Sequence, residues 1–108
     1  MITSVVEDQT DHVPPEFLFP AATTAAIARH DWLVPDYADA DGRVGIRVQA
    51  FVLQIAGRTL VVDPCVGNHK VRALPIWNKK SWPFLERLAA AGFSPEDVDT
   101  VVHTHLHA

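Results

Sequence analysis

The chain has 108 residues, of which 48% are hydrophobic and 20% are charged, and its formal net charge is −4. These proportions are close to the averages of globular domains and argue against a wholly disordered chain. The negative charge argues against general electrostatic attraction to nucleic acid or to anionic lipid. We therefore expect neither nucleic acid nor a membrane as a partner.

A single cysteine, Cys65, excludes an internal disulfide and suits a reducing compartment. Residues 1–15 have no basic start followed by an apolar stretch, which a secretion signal would need. No apolar run approaches the ~20 residues that span a bilayer. We expect a soluble chain in the cytoplasm.

The first 15 residues are polar and end in two prolines, which predicts a flexible N-terminal arm over residues 1–15. Residues 16–108 are expected to form the folded part. Within it, Thr23 or Thr24 is a suitable N-cap for a short helix that runs to about His30.

A β-hairpin is predicted in the middle of the chain. Apolar and polar residues alternate from Val44 to Ile55, and a β-branched, apolar run follows the turn at Gly57. The second strand is expected to end at Asp63, because Pro64 cannot donate to a strand ladder.

The next segment, residues 64–80, is predicted to be a long loop. Its basic residues could face an anionic substrate group or simply lie in solvent; they are Lys70, Arg72, Lys79 and Lys80. His69 could line a pocket or lie on the surface.

A helix is predicted to start at Trp82, with Ser81 as its N-cap, and to end before Gly92. Its spacing predicts one buried face, formed by Trp82, Leu85, Leu88 and Ala89.

Ser94 and Asp97 have the spacing of a capping box, and Asp99 to His103 form a β-branched run. The predicted order is therefore strand, strand, loop, helix and strand, which is typical of an α/β layer architecture. In such folds, ligands bind at the carboxyl ends of the strands.

Three histidines at alternate positions, His103, His105 and His107, follow this last strand. In an extended segment, side chains two positions apart point the same way, so His105 and His107 can offer nitrogens to one metal ion. A catalytic zinc needs about three protein ligands and an open position. This pair is therefore expected to be part of a larger site.

The sequence resembles the metallo-β-lactamase-fold hydrolases. The residues of its motifs are more similar to the lactonase and organophosphate-hydrolase branch than to the antibiotic-degrading branch. The resemblance rests on residues 61–64 (Val-Val-Asp-Pro), 92–99 and 104–107 (Thr-His-Leu-His). The family signature is His-x-His-x-Asp-His, and residues 105–108 match its first four positions. The resemblance implies an α/β (α+β) fold, the N-terminal half of a four-layer αβ/βα sandwich, truncated within the metal-binding motif.

The same resemblance implies that His105 and His107 are ligands of the first of two divalent metal ions, with zinc as the expected metal, and that the other ligands lie outside this chain. Asp63 could orient a ligand histidine, or it could be a turn cap at a strand end. We interpret His103 as a wall of the site or a support for its ligands. No side chain of this chain is expected to act as a catalytic acid, base or nucleophile.

The implied activity is hydrolysis of ester, lactone or related bonds in a small-molecule substrate through a dinuclear metal centre. The isolated chain is expected to be inactive. An alternative is a non-catalytic module that binds metal or pairs with a second polypeptide, and assembly into a homo-oligomer is a further option.

Overall fold

Four strands and two α-helices form within residues 1–106, the part of the chain that this computed structural model describes. The strands are β1 (Ile2–Val13), β2 (Val44–Ile55), β3 (Arg58–Val62) and β4 (Thr100–Val102), and the helices are α1 (Thr24–Ile27) and α2 (Phe84–Ala90). Single 3₁₀ turns lie at Pro15–Phe17, Asp31–Leu33, Pro75–Trp77 and Pro95–Asp97. In this part of the chain, no helix has the length and apolar character needed to cross a membrane.

The four strands form one sheet in the order β1-β2-β3-β4. Strands β2 and β3 pair antiparallel, with Ile55 opposite Arg58, and this confirms the predicted hairpin. Strands β3 and β4 pair parallel, with Val62 opposite Val102. The helix α2 lies in the crossover between them, as parallel pairing requires. The predicted α/β class is thereby confirmed.

The chain divides into two compact units, which we describe separately: Gln9–Arg47 and the remaining residues. In the first unit, Thr23 is the N-cap of α1, and its hydroxyl oxygen accepts a hydrogen bond from the Ala26 N–H at 3.1 Å. The helix ends at Ile27, one turn earlier than expected.

The expectation of a flexible arm over residues 1–15 is wrong for Ile2–Val13, which form β1. The polar sequence was misleading because this strand buries only two side chains deeply, those of Val5 and Glu7. They stand two positions apart and so share one face of the strand. The start of the folded part at residue 16 is therefore too late.

Glu7 is a buried carboxylate, only 1% exposed. Its two oxygens accept hydrogen bonds from the backbone N–H groups of Val66 at 2.8 Å and Gly67 at 3.0 Å. A buried charge of this kind is tolerated because both oxygens are hydrogen-bonded. Glu7 therefore holds the start of the loop that follows β3 against β1.

The core of the second unit lies between the sheet and α2. Its buried side chains are Val5, Ala50, Val52, Val61, Leu88 and Phe93, with Cys65, Phe84, Ala91 and Val98 packed around them. The predicted buried face of α2 is therefore wrong by part of a turn. Leu85 is 59% exposed, and the helix turns Phe84, Leu88 and Ala91 inward instead.

The sequence predicted the C-terminal end of α2 correctly but not its N-cap. Pro83 rather than Ser81 occupies the N-cap position, without a side-chain hydrogen bond. At the other end Gly92 has φ +93°, its N–H bonds to the Ala89 carbonyl, and the Phe93 N–H bonds to the Leu88 carbonyl. This is a Schellman motif, which favours glycine at the residue of positive φ.

We predict that Glu7→Ala lowers the free energy of unfolding by about 2–4 kcal/mol, because it leaves two backbone N–H groups without their charged acceptor. Glu7→Gln should lose less, since one amide oxygen still accepts a hydrogen bond. Urea unfolding monitored by circular dichroism measures both changes. The exposed Glu86→Ala is the control, with an expected change within about 0.5 kcal/mol. Equal effects of Glu7→Ala and Glu86→Ala would contradict this assignment.

Candidate metal centre

The candidate site lies at the carboxyl ends of β3 and β4. Because these strands are parallel and in register from Leu60 opposite Thr100, they end at the same edge of the sheet. The Asp63 N–H extends the ladder by donating to the Val102 carbonyl at 2.9 Å. The residues that follow β4 therefore lie beside Asp63.

Asp63 adopts a left-handed backbone conformation, with φ +51°, which aspartate tolerates better than most residues. Its Oδ1 accepts a hydrogen bond from the Thr104 N–H at 2.8 Å, and its Oδ2 accepts one from the Thr104 hydroxyl at 2.5 Å. Both acceptor oxygens thus bind one residue 41 positions later in the chain.

The pKa of Asp63 lies below its ordinary value. The hydrogen bond from the Thr104 side chain is the main cause, followed by the one from the Thr104 backbone, with smaller contributions from the nearby His105 and His103 charges. All of these favour the ionised carboxylate. Asp63 is therefore negatively charged at neutral pH.

Of the three histidines predicted for the site, His103 and His105 lie near Asp63. The Nδ1 of His105 lies 2.8 Å from the Thr104 hydroxyl oxygen and 4.0 Å from Asp63 Oδ2. His103 is exposed and is near enough to influence the charge state of Asp63. His107 lies outside the described residues, so the predicted pairing of His105 with His107 stays a prediction.

The described residues do not by themselves form a complete set of metal ligands. Within residues 1–106, no group of three or more His, Cys, Asp or Glu side chains lies close enough to hold a metal ion. What this region offers is an imidazole next to a hydroxyl and a carboxylate. That donor chemistry fits one ligand of a divalent metal together with its supporting hydrogen bonds.

The loop of residues 64–80 is held by internal hydrogen bonds. The Arg72 guanidinium donates to the Val66 carbonyl at 3.0 Å, and the Arg72 N–H donates to the Asn78 side chain at 3.0 Å. Arg72 therefore orders the loop. The other three basic residues, Lys70, Lys79 and Lys80, are exposed, as is His69.

Sequence reasoning missed two residues that matter here, Thr104 and Glu7. Thr104 has no role of its own in the sequence-based prediction, although a hydroxyl next to a candidate ligand is a recognisable signal. Glu7 directly follows two valines, Val5 and Val6. An acid two positions after Val5 shares its face of a strand, which could have indicated a buried acceptor.

The model of the metallo-β-lactamase superfamily matches residues 43–108, more than half of the chain. The chain belongs to this superfamily, and the resemblance seen in its sequence is confirmed.

Solved structures agree with this fold. A probable metal-dependent hydrolase from Staphylococcus aureus superposes with a TM-score of 0.66 at 19% identity, over 99% of this chain and 38% of its own. AidC, a dizinc quorum-quenching lactonase in complex with a product, gives 0.63 at 14% identity, over 98% and 33%. The hydrolase AbOPH of the beta-lactamase superfamily gives 0.61 at 26% identity, also over 98% and 33%.

The chain thus spans between 33% and 38% of the length of these three proteins. A search of curated protein sequences found no match.

The Cys65 thiol gives a prediction that needs no metal. Burial, together with the charges of Glu7 and Asp63, raises its pKa to about 12. At pH ~8 the thiol is then almost wholly protonated in the folded chain, whereas a substantial share is ionised in an unfolded chain of ordinary pKa. Alkylation by iodoacetamide should therefore be at least ~100-fold slower in the folded than in the urea-unfolded chain.

The Glu7→Gln variant provides the matched control, because it removes the charge of one of the two carboxylates that raise the pKa of Cys65. Its folded state should be alkylated faster than the wild type. Similar alkylation rates in the folded and unfolded wild-type chains would contradict the raised pKa.

Proposed function

We propose that this chain is the N-terminal portion of a metal-dependent hydrolase that acts on ester, lactone or related bonds through a dinuclear metal centre. The observation that carries the proposal is the arrangement of Asp63, Thr104 and His105 at the shared end of β3 and β4. It supplies an oriented imidazole where α/β folds bind their ligands.

In this proposal His105 and His107 are ligands of the first metal ion, and zinc is the expected metal. Asp63 supports His105 through Thr104, and His103 lines the site. When bound, such ions lower the pKa of a water molecule and polarise the bond to be cleaved. The contribution of this chain is to fix His105 and to keep a negative charge behind it.

The substrate class rests on the relatives. One is a lactonase and another is a hydrolase of the same superfamily, and both share this fold. Together with the family match, they support a small-molecule substrate with an ester, lactone or related bond. The net charge of −4 supports the absence of a nucleic-acid or membrane partner, and the single cysteine supports a cytoplasmic location.

We predict that zinc binds weakly to the 108-residue chain and that the chain alone does not hydrolyse lactones or activated esters. Isothermal titration with zinc chloride should show His105→Ala and His107→Ala each lowering the affinity at least ~10-fold, because each removes an imidazole ligand. The control is His30→Ala, which removes an exposed imidazole elsewhere.

Two outcomes would count against the proposal. Unchanged zinc affinity in both the His105→Ala and the His107→Ala variant would contradict the assignment of these histidines as ligands. Tight zinc binding together with esterase activity in the isolated chain would contradict its assignment as an inactive portion.

A second candidate function is supported by the edge of the sheet. Strand β4 is the last in the sheet order, and its three residues are exposed, including Val101 at 50% and Val102 at 41%. An exposed strand of this kind can pair with another polypeptide. The chain would then act as a module that recruits a partner to complete the fold.

We predict that co-expression with a polypeptide that carries the complementary part of a metallo-β-lactamase fold yields a stable complex. Val101→Lys should weaken this complex at least ~10-fold, because it places a charge on the pairing strand. Leu85→Lys, which changes a similarly exposed residue on α2, should not. Co-purification and lactonase assays measure both effects. Failure of the wild-type chain to form the complex would rule out the second candidate.

A further inference from the structure

Thr104 is hydrogen-bonded on both sides of its hydroxyl. Its Oγ1 lies 2.5 Å from Asp63 Oδ2 and 2.8 Å from His105 Nδ1. The direct distance from His105 Nδ1 to Asp63 Oδ2 is 4.0 Å, which is too long for a hydrogen bond. The hydroxyl therefore bridges the carboxylate and this ring nitrogen.

The direction of the two hydrogen bonds follows from counting protons. An ionised carboxylate can only accept, and a hydroxyl carries a single proton. Thr104 must therefore donate to Asp63. Its oxygen then has only a lone pair to offer His105, so His105 Nδ1 must carry the proton of the second hydrogen bond.

From this count we infer that Thr104 is a positioning residue that fixes the tautomer of His105. The ring proton is held on Nδ1, and Nε2 carries the lone pair with which His105 binds a metal. The tautomer is a property of the metal-free chain. Its consequence for a metal rests on the proposed function.

The variant Asp63→Asn should reverse the chain of hydrogen bonds. The Thr104 N–H donates to the Oδ1 position, so the amide oxygen of the asparagine belongs there and its NH₂ group faces the Thr104 hydroxyl. The hydroxyl must then accept from the amide and donate to His105 Nδ1, which moves the ring proton to Nε2. Asparagine also tolerates the φ of +51° at this position, so the backbone is preserved.

The tautomer can be read from long-range ¹H–¹⁵N correlation spectra of the ¹⁵N-labelled, metal-free chain. In spectra recorded at pH ~8.5, the pattern of cross-peaks reports which ring nitrogen carries the proton. We expect the Nδ1–H form for the wild type and for Thr104→Ser, which keeps the hydroxyl. We expect mainly the Nε2–H form for Asp63→Asn, and a reduced share of Nδ1–H for Thr104→Val. His30 serves as the internal reference.

Titration with zinc chloride gives a second measurement. Loss of a supporting hydrogen bond typically costs about 10- to 100-fold in metal affinity, and we expect this loss for Asp63→Asn and Thr104→Val but not for Thr104→Ser. If Thr104→Val proves unfolded in its amide spectrum, Asp63→Asn still tests the inference. Its side chain has nearly the same shape as the native one.

The outcomes separate this inference from the proposed function. An Nδ1–H pattern in Asp63→Asn, or an Nε2–H pattern in the wild type, would overturn the inference even if zinc binds through His105. The expected tautomers combined with zinc binding that does not depend on His105 would support the inference and overturn the proposed function.

Discussion

The parallel pairing of β3 with β4 is the interaction on which the candidate site depends. Only three residue pairs form it, yet they bring Asp63 next to Thr104 and His105, about 40 positions along the chain. A parallel pair requires a crossover, which here contains α2, and Leu88 of this helix and Phe93 just after it pack into the core. The geometry at the edge of the sheet is thus stabilised by apolar burial beneath it, since a pair of such short strands has little stability of its own.

A second constraint comes from β1. The Glu7 carboxylate binds the N–H groups of Val66 and Gly67, so it fixes the backbone just after Asp63. Burial raises the pKa of the Cys65 thiol, and the charge of Glu7 adds to this effect. One carboxylate thereby orders the loop and contributes to the raised pKa of the nearby thiol. This explains why a strand of largely polar sequence belongs to the folded part of the chain.

The features that the sequence predicted well are local ones. The hairpin turn at Gly57 and the helix end at Gly92 depend on backbone conformations that few residues adopt, so a glycine marks them directly. The features that it did not predict depend on distant partners. Glu7 resembled a solvated acid because its two donors lie about 60 residues away. Helical spacing does not determine which face of a helix packs against the sheet, so Leu85 was predicted to be buried although it is exposed. The role of Thr104 depends on its hydrogen bond to Asp63, which is distant in the sequence.

A threonine between the carboxylate and the imidazole has a physical consequence that a direct contact would not have. A hydroxyl donates one hydrogen bond and accepts at its lone pairs. Because the Asp63 carboxylate can only accept, Thr104 donates to it and accepts from the ring nitrogen of His105. The negative charge stays 4.0 Å from Nδ1, where it still favours the protonated side of the ring. A catalytic zinc needs about three protein ligands. An imidazole with its tautomer fixed therefore contributes to such a site only when other ligands bind the same ion. Under the proposed function, residues 1–106 would therefore supply one oriented ligand with its support, and the ion would take its other ligands from outside these residues.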